Sequence, residues 1–99
     1  MTEYQLRDYK LKDGEIDQFI EEWRTKVVPL RNKLGFRIVN SWLSRENNRF
    51  VWVVAWEGAT SFEQAEEKYF ASPERAALKP DPARHIEKAD TIMVDSVAH

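Results

Sequence analysis

No cysteine occurs among the 99 residues, which excludes disulfides, thiolate nucleophiles and cysteine-based zinc sites. Glycine is scarce, and Gly14, Gly35 and Gly58 compose no phosphate-cradling loop. Imidazole is scarce too. His85 is the one internal histidine and His99 is terminal, so no metal-ligand spacing and no Ser-His-Asp arrangement can be proposed. Neither sign of charge dominates: fifteen Lys and Arg meet seventeen Asp and Glu, and no basic block offers a surface to nucleic acid. No apolar run nears the ~20 residues that span a bilayer. Met1-Thr2-Glu3-Tyr4 lacks the basic and then apolar stretches of a signal peptide, so a cytoplasmic protein without membrane contact is expected.

What remains is a soluble globular composition, 42% apolar and 32% charged, with room for one domain over residues 1–99. Four Trp in so short a chain is its one oddity. Tyr4 to Tyr9 alternates, with Tyr4 and Leu6 pointing one way and Gln5, Arg7 and Tyr9 the other, as in a strand. Lys12-Asp13-Gly14 breaks it, and Asp13 or Gly14 can cap the helix that follows. Ile16, Phe19, Ile20, Trp23, Val27, Leu30 and Leu34 recur at steps of three and four, predicting an amphipathic helix kinked or split at Pro29 and stopped at Gly35. Phe36–Ser44 and Phe50–Glu57 read as strands joined by a tight turn at Asn47-Asn48. Thr60 and Glu63 suit a capping box opening a second helix. Ser72-Pro73 suits a fresh cap for a short helix through about Leu78. Glu87–Val97 is the last strand. The order β-α-β-β-α-β predicts an α+β, ferredoxin-like fold: a four-stranded antiparallel sheet with two helices on one face.

A two-residue turn at Asn47-Asn48 sets Leu43 opposite Trp52, Ser41 opposite Val54 and Val39 opposite Trp56, with Trp42 opposite Val53 and Asn40 opposite Ala55. One face then gathers Val39, Leu43, Phe50, Trp52, Val54 and Trp56; the other gathers Ile38, Trp42, Val51, Val53 and Ala55. The small aliphatics suit close helix packing, so the helices are expected on the second face and the aromatic set outside. Burying one such side chain is worth ~1.5–3 kcal/mol, and several left in water mark an interface. A homodimer through the sheet face is therefore expected.

The run Tyr4-Gln5-Leu6-Arg7-Asp8-Tyr9-Lys10-Leu11-Lys12-Asp13-Gly14 resembles the opening of NIPSNAP-type domains, a strand of the form E-L-R-x-Y followed by a turn glycine. The resemblance continues through Trp23, Val28-Pro29-Leu30-Arg31 and Gly35, and again in Val54-Ala55-Trp56-Glu57, covering most of residues 3 to 78. It implies the dimeric α/β-barrel superfamily. Relatives there include cofactor-free monooxygenases acting on polycyclic phenols, muconolactone-type isomerases, haem-degrading monooxygenases and chlorite dismutases. The haem-degrading relatives carry their axial histidine on the second helix, and Phe62–Leu78 has none, so no cofactor is expected.

Candidate chemistry falls on few residues. Arg7 could hold an anionic substrate group and Tyr9 could donate a hydrogen bond, or both could pack at a dimer seam. His85, in the lead into the last strand, could be a general base or an ordinary loop histidine. Trp52 and Trp56 could wall an apolar pocket with Trp42, and Asn40 is a nearby polar group; alternatively the tryptophans are core or interface anchors. Asp17, Glu21, Glu22, Arg24 and Lys26 on the first helix, and Glu66, Glu67 and Lys68 on the second, read as solvated faces. Two functions fit: a cofactor-independent monooxygenase or isomerase of a small aromatic or polyketide-like compound, or a non-catalytic dimeric small-molecule-binding or stress-associated protein.

Overall fold

A computed structural model describes residues 1–99. The chain runs through β1 (Glu3–Leu11), α1 (Ile16–Glu22), a π-helical segment (Trp23–Val27), α2 (Val28–Lys33), β2 (Phe36–Ser44), β3 (Arg49–Trp56), α3 (Phe62–Ala71), α4 (Pro73–Ala76), a 3-10 turn (Pro82–His85) and β4 (Ile86–Val94). The strands order β2-β3-β1-β4 and every pairing is antiparallel. This is the ferredoxin-like βαββαβ arrangement, with both helical arms on one face. The last strand ends at Val94, three residues before the expected Val97.

The irregularity in the first helical arm lies ahead of Pro29 rather than at it. Pro29 sits in the first turn of α2, where its missing N–H costs little. The preceding turn widens, so that the Val28 N–H donates to the Trp23 carbonyl five residues back. A proline in regular α-helix presses its ring on the carbonyl four residues earlier, here Thr25, and the wider turn stands where that clash would fall. The Glu15 preceding α1 makes no side-chain cap, and Asp13 instead accepts from Asn48 Nδ2 at 2.5 Å. The box that opens α3 is one residue later than expected. Ser61 Oγ accepts from the Gln64 N–H at 3.1 Å and Gln64 Oε1 from the Ser61 N–H at 3.2 Å. Thr60 is otherwise engaged, its carbonyl accepting from the Trp56 indole at 2.8 Å. Ser72 caps α4 as expected, accepting from the Arg75 N–H at 3.1 Å.

The β2–β3 register differs from the two-residue-turn expectation. Ser44 pairs with Arg49, leaving Arg45–Asn48 as a four-residue turn with Asn48 at φ 52°. Leu43 therefore faces Phe50, Ser41 faces Trp52 and Trp42 faces Val51. A shift of two positions keeps each of these side chains on its face. A bulge between Ile38 and Asn40 does not: Ile38 faces Val54 beneath the helices, and Val39 is turned out to solvent.

The face assignment itself is reversed. Phe50, Trp52 and Val54 are buried against Phe19, Trp23, Leu30, Phe62 and Tyr69, so the helices cover the aromatic face. Helices stand well off the sheet, and large rings fill that gap where Val and Ala would leave voids. The opposite face carries Leu6, Val51 and Val53, half-buried, with Trp42 52% and Ile92 59% exposed. The sheet thus has two apolar faces, as expected, with the roles exchanged.

Candidate functional site

On the helix face of the sheet, Arg7 lies opposite Trp52, and Tyr9 two residues along lies opposite Phe50. Alternation on β1 makes these neighbours, because residues i and i+2 share a face. Above them, Trp23, Val27 and Arg31 descend from the π segment and α2, and Tyr69 and Phe70 from α3. Together with Arg75, Pro82 and the start of β4 they line a cavity of about 340 Å³. That is the lower end of the ~300–1,000 Å³ typical of small-molecule sites. Its outer side is formed by the exposed residues Glu87, Lys88, Ala89 and Phe70. The walls are edge-to-face aromatic pairs: Tyr9 with Trp52 at 6.3 Å, and Trp23 with Trp52 at 5.5 Å.

The charged groups are tightly organised. Arg7 Nε donates to Tyr9 Oη at 2.7 Å, and Arg7 Nη1 to Gln5 Oε1 at 2.6 Å and Glu66 Oε2 at 2.7 Å. The same carboxylate receives Arg31, from Nη1 on Oε1 and from Nη2 on Oε2 at 3.4 Å. Burial works against the charge of Arg7, but the Tyr9 hydroxyl and the Glu66 carboxylate outweigh it, and the guanidinium holds its proton more firmly than a free one. Arg31 is 1% exposed, with its guanidinium 3.8 Å over the Tyr69 ring. Burial pushes the Tyr69 hydroxyl up, against the pull of Arg31 and Arg75. Three buried donors on residues of this lining have no protein partner: Trp23 Nε1, Trp52 Nε1 and Arg31 Nε.

Of the residues singled out in the sequence, Arg7, Tyr9 and Trp52 meet in this cavity. The other four do not. His85 is buried behind it, edge-on to Phe19, with Nδ1 2.7 Å from Glu15 Oε1 and Nε2 3.3 Å from Glu22 Oε2. Trp56 is four residues from Trp52, about 13 Å along a strand, and packs against Phe36 at 5.0 Å. Asn40 and Trp42 are on the opposite face of the sheet, Asn40 accepting from the Ser41 N–H at 2.8 Å.

Arg31, Tyr69 and Glu66 were not among the expected site residues; Tyr69 reads from the sequence as helix core and Glu66 as part of a solvated face. Arg31 continues the Trp23–Val27 spacing of four, so the helical stripe itself pointed to it. Glu66 is four residues past Phe62 and three before Tyr69, on the buried side of α3, and its side chain is only 18% exposed. Glu22 is likewise buried rather than solvated; the hydrogen bond from Arg84, against burial and with help from His85, holds its carboxyl below the usual range. No group of three or more His, Asp or Glu is placed to hold a metal ion, and the cavity lining offers no imidazole or sulfur.

A family model described as NIPSNAP matches residues 4–98. The chain belongs to the NIPSNAP family. Among solved structures, this NIPSNAP chain is similar to a NIPSNAP domain protein from Burkholderia xenovorans, at 17% identity and TM-score 0.81, covering 99% of this chain and 96% of that one. It is also similar to a NIPSNAP family protein from Agrobacterium tumefaciens, at 11% identity and TM-score 0.82, covering 98% and 94%. An antibiotic biosynthesis monooxygenase shares the fold at 17% identity and TM-score 0.65, covering 99% and 100%. No curated protein matches the chain. At these identities the shared property is the fold. No helix is long and apolar enough to cross a membrane.

Proposed function

We propose that this NIPSNAP protein binds a small, flat, largely apolar compound carrying an acidic oxygen, and acts on it in the cytoplasm as a cofactor-independent monooxygenase or isomerase. The observation that carries this reading is the Arg7–Tyr9 pair, 2.7 Å apart, in the wall of an aromatic cavity of about 340 Å³. Flat aromatic walls match a flat ligand, and a guanidinium favours the anion formed when a phenolic or enolic oxygen loses its proton. From such an anion, isomerisation needs only return of the proton at another atom. Oxygenation of a phenol to a quinone takes dioxygen as co-reactant: one atom becomes the new carbonyl oxygen, the other leaves as water, and the substrate supplies the electrons. His85 faces carboxylates at both nitrogens and does not line the cavity, so the substrate proton has Glu87 and solvent on the open side as its acceptors.

A second reading, binding without turnover, is favoured by that same placement of His85, since the inner wall then holds cations and phenols but no free base. Trp23 and Trp52 report occupancy through their fluorescence. Titration with hydroxynaphthalenes, followed by dioxygen uptake and product chromatography, separates the readings. Quenching with Arg7-dependent turnover supports the enzyme, quenching alone supports the binder, and no quenching refutes both.

The partner proposed for the sheet is a second copy of this chain. The outer face aligns Ile92, Leu6 and Val53 in one row; the next runs from Trp42 and Val51 into Asp8 and Asp90, where Asp8 pairs with Arg49 at 2.9 Å and begins the charged border. Apolar rows inside a charged border suit a self-complementary interface.

A further inference from the structure

Given a ligand in this cavity, as proposed above, we infer that it is an aromatic carboxylate of one or two rings, whose carboxylate is received by Arg31 and Arg7 together. Around the cavity, Arg75 is matched by Asp81 at 2.9 Å and Lys88 at the rim by Asp90 at 3.9 Å, while Glu87 beside it is exposed to solvent. Inside, Arg7 and Arg31 share the single carboxylate of Glu66, which leaves one buried positive charge without a counter-charge. An uncompensated charge out of water is costly, and a monoanion is what removes that cost. The rings of Tyr69 at 3.8 Å and Phe36 at 4.8 Å lend Arg31 partial negative charge but no lone pair.

The donors tell the same story. Arg7 spends Nε and Nη1 on Tyr9, Gln5 and Glu66, and its Nη2 bonds to nothing in the protein. Arg31 Nε, Trp23 Nε1 and Trp52 Nε1 also lack acceptors. The chain therefore supplies surplus donors and a surplus cation to one small space, and the missing partner is an acceptor-rich anion. A carboxylate fits better than a phenol on two counts. It has two oxygens, one for the free Nη2 of Arg7 and one for the free Nε of Arg31. It is also already ionised at neutral pH, whereas a group with a pKa near 10 is ionised about one part in a thousand. The volume of about 340 Å³ and the ring-lined walls limit the rest of the ligand to a small aromatic body.

The test compares 2-naphthoate, 2-naphthamide and 2-naphthol binding to the full chain by tryptophan fluorescence and calorimetry. We expect naphthoate to bind at least tenfold more tightly than the other two, and Arg7→Gln or Arg31→Gln to erase the preference while naphthol affinity changes little. Glu66→Gln removes the competing anion, so it should tighten naphthoate several-fold and leave naphthol unmoved, a result that mere damage to the cavity would not give. Should Arg31→Gln not fold, Arg31→Lys keeps the charge without the fork and should lose part of the preference. Equal affinity for the three probes, or a preference that survives both arginine variants, overturns the carboxylate inference alone. Failure of all three to bind at millimolar concentration overturns the cavity reading, and the carboxylate falls with it.

Discussion

Replacing Glu66 with Gln should destabilise the fold by about 3 kcal/mol, even though nothing of the side chain's shape is lost. Glu66 is the one carboxylate serving Arg7 and Arg31, and its own side chain is 18% exposed against 2% for Arg31. Breaking a buried ion pair from one side costs roughly 3–5 kcal/mol, because the partner is stranded. Water reaching the partly exposed site, and an amide oxygen that still accepts, place the loss at the low end. For a domain this size each kcal/mol is worth about 4–8 °C, so the melting temperature should fall by about 12–24 °C. Urea denaturation of wild type, Glu66→Gln, Arg31→Met and the double variant gives the cycle. If the stranded charge is the cause, Arg31→Met should recover much of the loss, with a coupling above about 1 kcal/mol. A Glu66→Gln loss below about 0.5 kcal/mol would refute the clamp and, with it, the surplus positive charge assigned to the cavity.

Trp42→Glu, on the outer sheet face, should leave the circular dichroism spectrum intact and convert a dimer to a monomer in sedimentation. A wild-type monomer at micromolar concentration would sink the proposed interface. Trp52→Ala, 1% exposed under the helices, should cost about 3–5 kcal/mol by the cavity it leaves, read as a lowered urea midpoint. Glu22 has a carboxyl held below its ordinary 4.5 by Arg84, so its contribution is fully present above pH 4.5 and drains away as pH falls through the folded value. The stability gap between wild type and Glu22→Gln should therefore be widest near neutrality and close in acid; a gap independent of pH contradicts the assignment.

Periodicity carried much of this fold. Steps of two on β1 put Arg7 and Tyr9 on one face of the sheet, steps of three and four put Trp23 on the apolar stripe of the first arm, and the element order fixed the topology. Which sheet face the helices take was not legible, because both faces are apolar and the choice depends on how much volume fills the gap. The register slipped because Asn48 alone adopts the left-handed conformation, which makes a four-residue turn where two consecutive Asn suggest a tight one. The site was half legible for a related reason. Arg7 and Tyr9 share a strand face and declare themselves, whereas Glu66 and Arg31 are 35 residues apart and look like surface charges until α3 is laid across α2. For His85 the sequence left two readings open, because the two carboxylates that hydrogen-bond it, Glu15 and Glu22, are more than 60 residues away along the chain.

The widened turn at Trp23–Val27 makes the site depend on chain length as well as on residue type. In regular helix, residues 23, 27 and 31 would creep around the axis by about 40° at each step of four. One wide turn cancels that creep, and Trp23, Val27 and Arg31 all reach the same cavity. Removing a single residue from this segment would rotate everything after it by about 100° and carry Arg31 away from Glu66. A homologue could thus keep every cavity residue by alignment and still lose the second guanidinium through one gap.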